Sequence, residues 1–188
     1  MVGVRPERNT LALLAALAFT LLFAGASAAP APGEYQVKAV YLFNFTHFVE
    51  WPAESFTDSR APFVIGVLGH DPFGNALDEA VRGETVNGRA LLVQRFASVA
   101  ELKPCQILFI ERSAAAGADK SLEAVAHKGM LTVSDSESAT PNGVIIRFLN
   151  ENQKIRLQIN VDSARSAGLT ISSKLLRPAQ VIGTVGAG

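Results

Sequence analysis

Four apolar runs separated by helical or turn-like segments constrain this chain most. They are "FVIGVLG" at 63–69, "GRALLVQRF" at 88–96, "CQILFIE" at 105–111 and "MLTVSD" at 130–135. The first is apolar without alternation and ends in glycine, which reads as a strand buried on both faces of a parallel sheet. Between the runs lie "FGNALDEAVRG" (73–83), a helix closed by Gly83, "SVAEL" (98–102), a short helical turn opened by Ser98, and "ADKSLEAVAHKG" (118–129), a helix stopped by Gly129. Strand and helix in alternation predict a parallel sheet with covered faces.

Two other patterns flank this core. "EYQVKAVYLFNFTHFVEW" (34–51) predicts a helix with a wide apolar arc, stopped by Pro52. A wide arc means burial on more than one side, so most of its rings belong to the core. "GVIIRFLNENQKIRLQIN" (143–160) reads as two strands around a polar turn at Asn150–Gln153. Asn160 or Asp162 caps a short helix over 162–167 that Gly168 ends, and a short amphipathic stretch closes the chain. The expected fold is one α/β domain over 34–182. It has a mostly parallel sheet with flanking helices, Rossmann-like or flavodoxin-like, extended by a C-terminal antiparallel hairpin, with a tail at 183–188.

The first 28 residues have the three parts of a secretory signal. Arg5 and Arg8 form a basic start, residues 11–24 are uncharged and apolar, and Ala26-Ser27-Ala28 offers a cleavage site; 29–33 follow as a linker. Cleavage of these 28 residues from 188 leaves 160, and loss of Arg5, Glu7 and Arg8 moves the net charge from 0 to −1. Such a chain has no basic excess to hold nucleic acid or an acidic membrane surface. Beyond the leader no segment is long and apolar enough to span a bilayer, so no membrane insertion is expected after cleavage. Export to the periplasm permits disulfides, yet Cys105 is the single cysteine, so no intramolecular disulfide forms. In a strand-like run it reads as a small buried hydrophobe.

Chemistry is sparse. Gly69-His70-Asp71-Pro72-Phe73-Gly74 follows the first strand and opens a helix, the edge where α/β sheets hold ligands. Its glycine spacing matches a phosphate loop, but Asn75 and Ala76 stand where Lys and Ser/Thr are required. The simpler reading is a turn in which Asp71 caps the helix and Pro72 takes its first position. Ser134 and Asp135 follow the fourth strand at the same kind of edge. His70, Asp71, Phe73, Gly74, Ser134 and Asp135 are therefore the candidate ligand edge. His47, His70 and His127 lie on different elements without metal-ligand spacing, and no nucleophile elbow occurs. The expectation is a protein without catalytic residues, metal or cofactor.

The blocks "EYQVKAVYLFNFTHFVEWP", "GVLGHDPFGNALDEAVRGETVNGR", "CQILFIERS", "LTVSDSESATPNGVIIRFLNENQKIRLQIN" and "SARSAGLTISSKLLRPAQV" resemble, in order, those of YfiR-like proteins over roughly residues 34–182. The resemblance implies a periplasmic, non-enzymatic α/β protein, often dimeric. Its best understood members repress an inner-membrane diguanylate cyclase through the cyclase's periplasmic sensor part. Release raises cyclic di-GMP and promotes biofilm formation. Redox-responsive members carry several cysteines, one pair bracing the late hairpin. Here Cys105 matches one family cysteine and Gly143–Asn160 has none, so an intramolecular disulfide cannot be the control.

Two surfaces are expected to meet a partner or a second copy: Tyr41, Phe48 and Trp51 on the aromatic helix, with Phe43, Phe45 and Val49 packing on the sheet, and the apolar tail set Leu169, Ile171, Leu175 and Leu176. Aromatic side chains supply much of the energy at interfaces. The competing expectation is a small-ligand sensor that uses the loop edges and needs no cyclase.

Overall fold

A computed structural model describes residues 33–114, 129–137 and 144–183, all within the compact unit Gly33–Gly188. The expected signal peptide, most of the linker, and the expected helix at 118–129 (save Gly129) lie outside the described residues.

In chain order the elements are α1 (Glu34–Phe48), β1 (Val49–Glu50), β2 (Phe63–Leu68), α2 (Asn75–Val81), β3 (Thr85–Val86), β4 (Arg89–Phe96), β5 (Ile107–Ile110), β6 (Leu131–Ser134), β7 (Ile146–Glu151), β8 (Lys154–Asn160), α3 (Val161–Ser166), β9 (Thr170–Ile171), α4 (Ser173–Leu176) and β10 (Gln180–Ile182). Short 3-10 turns cover Ala53–Ser55 and Val99–Glu101. One eight-stranded sheet runs β10-β8-β7-β6-β5-β2-β4-β3, and β1 pairs with β9 apart from it. The pairs from β4 through β2, β5 and β6 to β7 are parallel, β7–β8 and β3–β4 are antiparallel, and β10 returns parallel to β8. The fold is thus mixed α/β with a mostly parallel centre and an antiparallel hairpin. It has four strands more than the sequence shows: β1, β9 and β10 are too short to carry a pattern, and β3 adds a further antiparallel edge.

The apolar runs are continuous because both faces of the sheet are packed. Ile65, Val67, Ile107, Phe109, Leu131 and Val133 face one core with Ala39, Leu42 and Phe45 of α1 and Leu77 and Val81 of α2. Val64, Leu68, Leu108 and Ile110 face the other, with Phe96, Cys105, Met130 and Val144. Alternate residues of one strand therefore enter different cores, as the pleat demands. Each large side chain so buried contributes roughly 1.5–3 kcal/mol.

Two helix boundaries differ from the sequence reading, and one further hairpin is present. Helix α1 stops at Phe48, before Pro52, and Val49 pairs with Ile171 in β1–β9 while Phe48 O accepts from Ser172 N. Tertiary pairing at β-branched Val49 overrides helical continuation. Helix α2 begins at Asn75 behind Gly74, whose φ of 54° and ψ of −127° suit glycine, so Asp71 does not cap it and Pro72 is not its first residue. The β3–β4 hairpin turns on Asn87-Gly88, with φ of 51° and 77°, the Asn-Gly signal of a two-residue turn. In the late hairpin the turn is Asn152-Gln153, also left-handed. Asn160 caps α3 by accepting from Ser163 N at 3.0 Å.

Candidate functional site

Strand order places the chain's reversal between β2 and β5. From β2 the chain moves outward to β4, then crosses back to β5 and on to β6. The crevice beyond the carboxyl ends of β2 and β5 is therefore the switch point where such sheets hold ligands. Two polar networks flank it.

In the first, Asp71 Oδ1 accepts from Phe73 N at 2.8 Å and folds the loop on itself. Asp71 Oδ2 accepts from Arg95 Nε at 2.7 Å, and Arg95 also reaches Asp78 Oδ2 at 2.5 Å and Gly74 O at 3.2 Å. The Arg95 bond holds the Asp78 carboxyl below its usual range, and the Asp78 and Asp71 bonds raise the guanidinium. Arg95 thus straps the β2–α2 loop to β4.

In the second, Lys38 of α1 and Asp135 after β6 are 1% and 3% exposed and meet at 2.5 Å, Nζ to Oδ2. Glu34 Oε1 lies 2.5 Å from the same ammonium, and Tyr35 OH donates to Asp135 Oδ2 at 2.9 Å. Burial, then the bond to Asp135, raises the Tyr35 phenol well above its usual range. Asp135 Oδ1 is buried with no hydrogen-bond partner. Ser134 Oγ donates to Ile110 O at 2.8 Å and accepts from Ser136 N.

The six edge residues expected from sequence thus fall apart. Asp71 and Gly74 belong to the Arg95 strap, and His70 is exposed. Phe73 is core, set edge-on to Tyr35 at 5.5 Å and Phe109 at 4.8 Å. Asp135 is committed to Lys38 and Tyr35, and Ser134 bonds across to β5. Sequence reasoning missed Lys38. Its signal was a lone charge inside the wide apolar arc of α1, where a buried lysine needs a carboxylate.

The expected partner residues also have definite places. Tyr41 packs its ring 6.2 Å from Phe45 and 5.8 Å from Phe148. Phe48 is half-buried against the core. Trp51 stands edge-on to Phe63 at 4.8 Å and donates from Nε1 to Gln106 O at 3.1 Å. Leu169 and Leu175 are buried, and Ile171 and Leu176 pack on the same core, so the domain covers most of its own tail set. What α1 turns outward is another stripe, Val37, Val40 and His47, with Phe43 half-buried between them and packed against the core like Tyr41 and Phe48. Val40 is 52% exposed, and Phe43 is half-buried with its ring edge-on to His47 at 5.2 Å. These positions recur every three or four residues, one face of a helix.

Clefts lie elsewhere. One of about 500 Å³ lies among the end of α1, β1 and the β3–β4 turn, lined by His47, Glu50, Trp51, Phe56, Asn87 and Arg89 among others. A second, of about 310 Å³, lies before β5 and β6 and includes Ser55, Phe56, Lys103, Cys105 and Met130. Cys105 is buried, and burial pushes its thiol up to about 12. Among the described residues no group of three or more His, Cys, Asp or Glu is placed to hold a metal, and no helix is long and apolar enough to cross a membrane.

The fold has solved relatives at low identity. The ABC domain in complex with L-Trp from Streptococcus pneumonia shares 12% identity at a TM-score of 0.49, over 79% of this chain and 60% of that one. A conserved domain protein from Vibrio cholerae shares 13% identity at a TM-score of 0.50, over 79% and 60%. The chain thus spans 60% of the length of each of these neighbours, and the second supports the α/β fold alone. No curated protein matches the sequence. A family model described as YfiR/HmsC-like matches residues 35–180, from the first turn of α1 to the start of β10, and by that match the chain belongs to the YfiR/HmsC-like family (DUF4154).

Proposed function

We propose that this protein is an exported, non-catalytic regulator. It acts in the periplasm on the sensor part of an inner-membrane diguanylate cyclase and lowers cyclic di-GMP signalling. Family membership supports a regulatory role in place of catalysis. The observation that carries the docking site is the outward stripe of α1. Val40 is 52% exposed on a helix whose inner side is fixed by the buried Lys38–Asp135 pair. A rigid helix presenting Val37, Val40 and Phe43 beside His47 can seat in an apolar groove. The same stripe is the proposed contact for a homodimer, with the half-buried rings of Tyr41, Phe48 and Trp51 as further proposed contacts.

A crosslinker at position 40, used in native membranes, tests the reading. Recovery of a membrane cyclase with a periplasmic domain supports it. Recovery of the protein's own copies alone leaves the dimer and removes the cyclase.

A second reading, small-ligand sensing without a cyclase, draws on the cleft of about 500 Å³. His47 belongs both to that cleft and to the outward stripe, so an occupant there would touch the docking face. A ligand-dependent rise in melting temperature, lost on filling the cleft with Thr85→Trp, is the expected sign.

A further inference from the structure

The cleft before β5 and β6 brings two sulfur atoms together. Cys105 Sγ lies 3.8 Å from Met130 Sδ, and both residues line the cleft. The two sulfurs come from segments that enter adjacent parallel strands, so the sheet itself fixes their spacing. Gly66 makes room on the other side: a Cβ there would sit 3.2 Å from Cys105 Sγ and 3.0 Å from the Phe96 ring. A third atom points the same way. Ser55 Oγ, in the same lining, is buried with no hydrogen-bond partner. It closes against Gly129, where any Cβ would come within 1.8 Å of it. A thiol, a thioether and an orphaned hydroxyl thus line one cleft.

We propose that Cys105 and Met130 form a binding site for a thiophilic monovalent cation, Cu(I) or Ag(I). Thiolate and thioether sulfur select soft ions, whereas a hard divalent ion needs carboxylate or carbonyl oxygens. Charge decides in the same direction. A bare thiolate against apolar walls is costly, but a thiolate joined to a monovalent cation is neutral. With bonds of about 2.3 Å, the length thiolate makes to zinc, sulfurs 3.8 Å apart subtend roughly 110° at the metal, a bent pair that leaves a third position free. An exogenous ligand from the cleft fills it. On binding, the Cys105 S–H bond breaks and a metal–Sγ bond forms. The proton leaves to solvent, Met130 Sδ donates a lone pair, and no electron changes hands.

The test is titration of the reduced full-length mature protein with Cu(I) held by bicinchoninate, and with Ag(I) in nitrate buffer. X-ray absorption at the metal edge is recorded on the loaded protein. One equivalent retained per chain, with two sulfur atoms bonded to the metal, is the expected result. Met130→Leu, which keeps the packing volume, weakens binding at least tenfold, and Cys105→Ala abolishes it. The proposal is overturned by failure of the wild type to compete with bicinchoninate, by oxygen or nitrogen neighbours alone, by full retention in Cys105→Ala, or by unchanged affinity in Met130→Leu. The absorption measurement needs no variant, so misfolding of Cys105→Ala would not spare the idea.

Discussion

Lys38 Nζ and Asp135 Oδ2 stand 2.5 Å apart across 97 residues of sequence. Their bond fixes α1, the helix with the outward stripe, to the carboxyl end of β6. Charges this deeply buried are seldom a net gain in stability over apolar packing, but breaking one partner leaves the other stranded.

Lys38→Met should therefore cost about 3–5 kcal/mol in urea unfolding, because Asp135 is left buried beside Tyr35 without its cation. Adding Asp135→Leu to it should recover much of that loss. The Arg95 strap is the control. Its side chain is 37% exposed and Asp78's 44%, so solvent screens the pair and Arg95→Ala should cost less than about 1 kcal/mol. Equal costs for the two substitutions would contradict the burial argument.

Gln106 is a hub for the segment after α1. Its Oε1 accepts from Val64 N at 2.8 Å, its Nε2 donates to Ser55 O at 2.6 Å, and its backbone O accepts from Trp51 Nε1. Gln106→Leu strands the Val64 N–H and the Ser55 carbonyl, so a loss of about 1–3 kcal/mol is expected. Trp51 is the single tryptophan, so its fluorescence reports whether the segment has loosened. A red shift is the expected outcome.

Alkaline stability should depend on Cys105. Its thiol is raised from 9.0 to about 12 by burial, so the folded state holds the proton more tightly than the unfolded chain. That contribution is full below about pH 9 and declines as pH rises through the folded value. Between pH 9 and 10 the loss is about 1 kcal/mol. Cys105→Ala should show a flatter profile over that range in parallel urea titrations. Tyr35, also raised, adds its own decline at higher pH in both proteins.

Val40→Glu and Tyr41→Ala, neighbours in sequence, should behave oppositely. The first places a charge on an exposed position and should leave stability within about 0.5 kcal/mol while abolishing partner capture. The second removes a ring packed on Phe45 and Phe148 and should cost about 2–3 kcal/mol before any effect on binding. Normal capture by a folded Val40→Glu protein would move the docking face off this stripe.

Much of the architecture was legible because it is written in local patterns. The runs at β2, β5 and β6 announce strands packed on both faces, and the polar turn between β7 and β8 announces the hairpin. Asn87-Gly88 was an equally readable turn signal, yet β3 has only two residues to show beside it. The helical arc of α1 also showed that some of its aromatic side chains must be core.

Which of them face outward was not legible. An arc this wide has almost no single apolar face, so periodicity cannot separate Val40 from Tyr41. Their surroundings do, through Phe148 arriving from β7. Residues close in sequence at the sheet edge, such as Asp71 and Phe73, were divided between a surface strap and the core by Arg95 and Tyr35, both distant in the chain. The sequence alone determined the order of the main strands, the family blocks and the single thiol, because these depend on neighbours along the chain. Tertiary structure decided that Lys38 meets Asp135, that Cys105 meets Met130, and that Leu169 and Leu175 are interior. Each of those outcomes depends on which segments the sheet order brings side by side, and no local pattern carries that information.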